Sequence, residues 1–276
     1  MSAIPSFAEI EVRGRDAASY LHAQLANDIQ AIEPGQWRFG SYCQVDGRVQ
    51  SLMLCARIEP DIFRLLLPED NAAEVEKRLT MYKVRAQCTI RSTPVSISHE
   101  PGPGGARYRC GAFDWHVHAH PERIDSPLPE SLWTQQISLG LPWLKASVSG
   151  KFLPPMLALE RLVAFTLKKG CYPGQEILAR THYLGRSKRR LVWLDTHAAP
   201  TPRSAGTELR RDAENVVVGH IVAADFAGQR ALAVVGEAVV AGDQLHSEAS
   251  APLLVIDRDF AAEINAALLN GEVWTT

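Results

Sequence analysis

The stretch Lys168-Lys169-Gly170-Cys171-Tyr172-Pro173-Gly174-Gln175-Glu176-Ile177-Leu178-Ala179-Arg180 sets one thiol beside two ammonium groups at a turn marked by glycine and proline. Pro173-Gly174 punctuates the chain, and the residues from Gln175 to Arg180 are helix formers with an acid in the first turn. A thiol placed just ahead of a helix N-terminus and next to lysines has its thiolate favoured by the dipole and by the charges. Cys171 is therefore the candidate functional thiol, with Lys169 as the group that lowers its pKa. Gly170 and Gly174 supply close backbone approach or positive φ. The competing reading of a single cysteine is a small, inert, buried hydrophobe. Glu176 and Arg180 stand four apart, which suits either an ordinary helical ion pair or a brace for the cysteine loop.

Other chemistry-bearing patterns are weaker. His116, His118 and His120 alternate on what reads as one strand face, but three in-line imidazoles span too far for one ion, so no metal site is expected. The run Gly185-Arg186-Ser187-Lys188-Arg189-Arg190 is the densest basic segment. It lacks interleaved aromatics, so a solvated face is favoured and no direct nucleic-acid contact is expected. Gly102, Gly104 and Gly105 lack the helix and lysine of a phosphate-binding loop. No nucleophile–base–acid triad or carboxylate pair can be assembled from spacing.

The elements that must position these groups follow from patterning. With 276 residues, 46% hydrophobic and 22% charged, the chain has the composition of a globular protein of more than one domain. A net charge of −2 gives no general attraction to nucleic acid or to anionic membranes. The five cysteines are scattered and show no Cys-x-x-Cys spacing, which suits a reducing cytosol and neither a disulfide framework nor zinc. The first ten residues lack a basic segment followed by an apolar core, and no apolar run reaches membrane-spanning length, so a cytoplasmic location is expected.

Ala8 to Val12 reads as a strand, and Tyr20, Leu21, Leu25 and Ile29 as one face of a helix. Trp37 to Cys43 and Val49 to Ile58 read as strands joined by a hairpin turn at Asp46-Gly47. Ile62 to Leu67 is a strand, Pro68 to Asn71 starts a helix carrying Val75, Leu79 and Tyr82, and Val84 to Ile90 returns as a strand. Tyr108 to Ala119 is strand-like and Glu130 to Leu139 helical. Leu159, Leu162, Val163 and Phe165 are expected to bury against a sheet. Beyond Leu191, short β-branched runs between turns suggest a small closed β-structure.

The motif Lys-Gly-Cys-Tyr-x-Gly-Gln-Glu at 169–176, followed by Ala179-Arg180 and by the basic run into Leu191, resembles the signature of the YgfZ family. These are folate-binding proteins related in fold to the aminomethyltransferase (T-protein) of the glycine cleavage system. The resemblance implies an α+β, T-protein-like multidomain arrangement with ferredoxin-like layers and a C-terminal β-barrel around a central channel. Residues 1–48 with 128–186 would form a discontinuous folate-binding domain, 49–127 a ferredoxin-like domain, and 187–276 the β-barrel domain.

By the same resemblance the cofactor is tetrahydrofolate or a derivative, and the partners are iron–sulfur enzymes or their assembly factors. The function implied is support of iron–sulfur enzyme assembly or repair, with an effect on tRNA modification by methylthiolation. Phe7, Trp133, Tyr172 and Gln175 are the residues expected at folate, although Trp133 is one place out of register. Ala158 stands where the family has asparagine. Aminomethyltransferases carry an aspartate after the glycine of their second strand. Gly47-Arg48-Val49-Gln50-Ser51-Leu52 has no carboxylate, so a folate-dependent one-carbon transferase is the runner-up. A binding module without thiol chemistry is the third reading.

Overall fold

The computed structural model describes residues 4–275 apart from 102–104, 111–112, 121–125, 186, 196–202, 212–215, 228, 248–251 and 257–270. Gly102, Gly104 and Arg186, singled out above, lie outside the described residues. The chain opens with β1 (Phe7–Arg13), whose period-two alternation divides two cores. Ala8, Ile10 and Val12 pack against α1 (Ala17–Gln24) and α2 (Glu69–Tyr82), while Phe7 joins the core on the opposite face.

Strands β2 (Gln36–Cys43), β3 (Val49–Glu59) and β4 (Ile62–Pro68) follow as antiparallel neighbours, then β5 (Thr89–Ser98), β6 (Gly105–Cys110) and β7 (Phe113–Ala119). Together with β14 (Gly271–Thr275) they close into a barrel in the order β1-β4-β3-β2-β14-β6-β7-β5. Its interior is aromatic. Phe7 meets Trp115 and Trp143 edge-on with centroids 5.3 and 5.2 Å away, and Phe113 lies 4.5 Å from Trp115.

A second barrel, β10-β11-β8-β13-β12-β9, uses β8 (Arg189–Asp195), β9 (Glu208–Arg211), β10 (Val216–Ala224), β11 (Arg230–Gly236), β12 (Gln244–His246) and β13 (Leu253–Ile256). Helix α3 (Glu130–Ser138) joins the barrels. Trp133 donates its indole N–H to the Ala224 carbonyl at 2.7 Å, and Trp193 donates to the Ile137 carbonyl at 3.1 Å. The mixed α and β class and the C-terminal barrel are what the sequence indicated, whereas the strands expected to form ferredoxin-like layers instead close into the first barrel. Among the described residues no helix is long and apolar enough to cross a membrane.

Several expectations need correction. Pairing runs straight across the boundary placed at residue 48, with Tyr42 opposite Ser51. The last strand was assigned to the C-terminal β-domain but pairs with β2 and β6. Gly271 lies on the Trp37 indole, where an added Cβ would come within 1.9 Å of the ring, and Val273 fills the first barrel's interior. Val84 to Ile90 is mostly loop, and Val84 is exposed. Gln87 N–H donates to the Asp16 carboxylate and Lys83 to the Cys88 carbonyl, which holds that segment off the sheet until Thr89. The Tyr108–Ala119 run is two paired strands, with Cys110 opposite Phe113. Val163 and Tyr82 are exposed rather than buried.

Candidate functional site

Helix α4 (Gln175–Leu184) starts where the sequence indicated, with Gly174 as its N-cap at φ 82°. The glycine is required twice over. An added Cβ would stand 2.5 Å from the Gln44 carbonyl oxygen and 2.5 Å from Gly47 Cα. Gly47, at φ 79°, belongs to the expected hairpin turn, so the tip of β2–β3 and the start of α4 are pressed backbone to backbone.

The chain leading to this point is fastened to the first barrel at successive places. Ser41 Oγ donates to the Ala164 carbonyl at 2.9 Å, and Thr166 N–H donates to the Ala26 carbonyl at 2.9 Å. Lys169 makes the firmest link. Its ammonium donates to the carbonyls of His22, Leu25 (2.7 Å) and Asn27 (2.9 Å). Those carbonyls lie at and just beyond the C-terminus of α1, where backbone acceptors lack helical partners and a cation is favoured. Burial pulls the Lys169 ammonium down to about 8, with Asp28 and then Cys55 pulling the other way. The role given to Lys169 from sequence therefore changes: its ammonium is committed to α1 and makes no hydrogen bond to Cys171.

Adjacent residues of the motif face opposite ways. Cys171 is exposed, whereas Tyr172 is only 6% exposed and its ring lies beneath Lys169, with Nζ 5.2 Å from the centroid. The Tyr172 hydroxyl is buried without a hydrogen-bond partner among the described residues. Burial, and secondarily Cys43, push its pKa well up. Of the other thiols, Cys110 is half-buried and three are enclosed. Cys43, Cys55 and Cys88 are buried, and burial pushes Cys43 up to about 12.

Gln175 braces the loop, its side-chain amide donating to the Lys169 carbonyl at 3.3 Å. Gly170 is open, with nothing within 4 Å of an added Cβ. Glu176 and Arg180 are both exposed, and among the described residues no ion pair joins them. Leu178 is the residue by which α4 is buried.

Phe7 and Trp133, expected at a pterin, sit elsewhere. Phe7 is enclosed between two tryptophans in the barrel, and Trp133 is buried with its N–H committed to Ala224. They do not fit an open slot beside the loop. Tyr172 and Gln175 do lie at the loop: the Tyr172 hydroxyl is buried without a partner among the described residues, and the Gln175 amide donates to the Lys169 carbonyl. Gln50 and Ser51 are both buried. Gln50 accepts from Gln44 at 2.5 Å, and Ser51 Oγ donates to the Leu52 carbonyl, so this stretch offers no general base. Ala158 takes φ 52°, a left-handed conformation that asparagine adopts readily and alanine does not.

Sequence reasoning missed Asn27 and Ser41, buried anchors whose importance depends on partners far along the chain. It also missed that Asp114 shares the outward face of β7 with His116 and His118 and pairs with Arg107 through two contacts of 2.8 and 2.6 Å. Among the described residues no group of three or more side chains could hold a metal ion.

No protein-family model matches the chain. It is 26% identical over 230 residues to the tRNA-modifying protein YgfZ of Colwellia psychrerythraea, covering 70% of each chain. It is 27% identical over 241 residues to YgfZ of Edwardsiella ictaluri, covering 73% of this chain and 72% of that one. An uncharacterized protein of Haemophilus influenzae is 28% identical over 198 residues, covering 66% of this chain and 68% of its own length. Among solved structures, the glycine cleavage system aminomethyltransferase T of Bartonella henselae superposes with a TM-score of 0.72 at 16% identity. That match covers 96% of this chain and 86% of the other. The chain is a distant relative of the YgfZ tRNA-modifying proteins and has the fold of the glycine cleavage T-protein.

Proposed function

We propose that the protein binds a folate at the Cys171 loop and supports assembly or repair of iron–sulfur enzymes, and through them tRNA modification. The observation that carries this reading is the pair Cys171–Tyr172: an exposed thiol next to a buried hydroxyl that has no partner among the described residues. The relatives' name and the fold support it from outside the site.

Tetrahydrofolate, when bound, supplies a carrier for one-carbon units. Tyr172 and Gln175 would hold its polar edge, and Lys169, by fastening the loop to α1, would keep both in place. Cys171, outside this polar layer, is left to meet a macromolecular partner as a nucleophile, a metal ligand or a thiol-exchange group. The absence of a carboxylate at Gln50 and Ser51 disfavours aminomethyl transfer by the route of the T-protein.

Calorimetric titration with tetrahydrofolate tests the ligand claim. Wild type and Cys171→Ala should bind alike, with a saturable micromolar isotherm, and Tyr172→Phe at least tenfold more weakly. No heat with wild type removes the folate reading. Equal affinity of Tyr172→Phe removes the loop as its site.

A further inference from the structure

A recess lies on the outer face of the first barrel, around the Arg107–Asp114 pair. Strands β14, β6 and β7 lie side by side there, and their outward side chains surround a groove of about 580 Å³. That is the size of a small-molecule site. Trp274 forms part of its wall and is 43% exposed, whereas the other five tryptophans of the chain, Trp37, Trp115, Trp133, Trp143 and Trp193, are buried. The Arg107 guanidinium lies over the Trp274 ring at 5.9 Å and is forked onto the Asp114 carboxylate through Nε and Nη2. His116 and His118 of β7 line the same groove, as does His99. Gly105 makes room for this arrangement: an added Cβ would come within 2.7 Å of the His118 ring nitrogen Nδ1.

An exposed indole with a guanidinium held over it is a stacking surface for a flat heterocycle. Imidazole nitrogens supply hydrogen-bonding groups, and the Asp114 carboxylate accepts from an exocyclic amine. Arg107 is largely neutralised by Asp114, so the groove suits a ligand with one compact anionic group rather than a polyanion held by bulk charge.

We propose that this groove binds a nucleotide unit, its base stacked on Trp274 and its phosphate at His116 and His118. His116 faces Asp114 and His118 on its own strand, Arg107 on β6, and the groove-lining His99 beyond β5. Burial holds its pKa below the usual histidine value, Asp114 opposes that, and Arg107 and His118 add to it. A bound phosphate favours the protonated ring, so the His116 contribution to affinity should grow as the pH falls.

The site can be read optically, because Trp274 is the one tryptophan with an exposed ring. Adenosine 5′-monophosphate added to the full-length protein at pH 6.5 should quench tryptophan emission saturably below 5 mM. A short oligoadenylate serves as the second probe. Tighter binding of the oligomer identifies a strand as the natural source, and equal binding a free nucleotide. In calorimetry Trp274→Leu should lose at least tenfold in affinity. The double variant His116→Ala/His118→Ala keeps the optical reporter, and should bind at least tenfold more weakly. Failure of both probes to quench overturns the proposal. So does unchanged affinity in both variants, or inorganic phosphate binding as well as the nucleotide.

Discussion

Gly174 lies so close to Gly47 that a side chain on the first would stand 2.5 Å from the Cα of the second. The Cys171 loop is thus closed at its C-terminal end by a glycine–glycine contact with the β2–β3 hairpin, and at its N-terminal end by Lys169 on α1. Gly174→Ala combines a left-handed φ with a clash against immobile backbone, and should cost at least about 2 kcal/mol. Gly170→Ala meets nothing within 4 Å. It should stay within about 0.5 kcal/mol of wild type. Urea denaturation of the two variants measures the contrast.

Lys169→Met leaves the carbonyls of His22, Leu25 and Asn27 without their donor. An expected loss of about 1–3 kcal/mol follows from stranding partly buried acceptors. The pH dependence has a definite sign. Burial lowers the folded ammonium from 10.5 to about 8, so between those values the unfolded chain binds more protons. This group's contribution is complete above 10.5 and lost as pH falls through 8. Wild-type stability should therefore climb relative to Lys169→Met as the pH is raised across that window, in denaturation curves recorded at each pH.

The Tyr172 hydroxyl is buried without a partner among the described residues. Removing an unsatisfied hydroxyl while keeping the ring should leave the ligand-free protein as stable or more stable, by up to about 1 kcal/mol. Thermal melts of Tyr172→Phe without folate check this. A clear destabilisation would mean that the hydroxyl is satisfied in solution.

Thiol chemistry should separate Cys171 from the three buried cysteines. Cys171 is exposed, while Cys43, Cys55 and Cys88 are buried and burial raises all three. Brief treatment with iodoacetamide at pH 8, read by peptide mass mapping, should label Cys171 at least tenfold faster than Cys43 or Cys55, since burial restricts access and suppresses the thiolate.

Ala158 pays the strain of a left-handed conformation at φ 52°. Ala158→Asn should relieve part of it and raise stability by about 0.5–1 kcal/mol, again by urea denaturation.

Local signals carried much of this fold. The Asp46-Gly47 hairpin, the α2 start at Glu69 and the α4 start behind Gly174 are all encoded within a few residues, and each is where patterning put it. The closing of the first barrel by residues 271–275 was not legible, because Gly271 is explained only by Trp37, distant in sequence. At the site, the exposed thiol and the obligatory Gly174 could be read from the motif. The acceptors of Lys169 could not, since they lie at and beyond the end of α1, some 140 residues earlier (144 from Leu25). Phe7 and Trp133 were aromatic residues in plausible places, yet aromatic side chains are as useful to a core as to a ligand, and both are spent on packing.

The most direct measurement is tRNA methylthiolation, by mass spectrometry of bulk tRNA, in cells that lack this protein and are supplied with wild type or Cys171→Ala. Both proteins must accumulate to equal, folded levels. Restoration by wild type and failure by Cys171→Ala is the result expected of a thiol that acts at the loop. Equal restoration by both would contradict it.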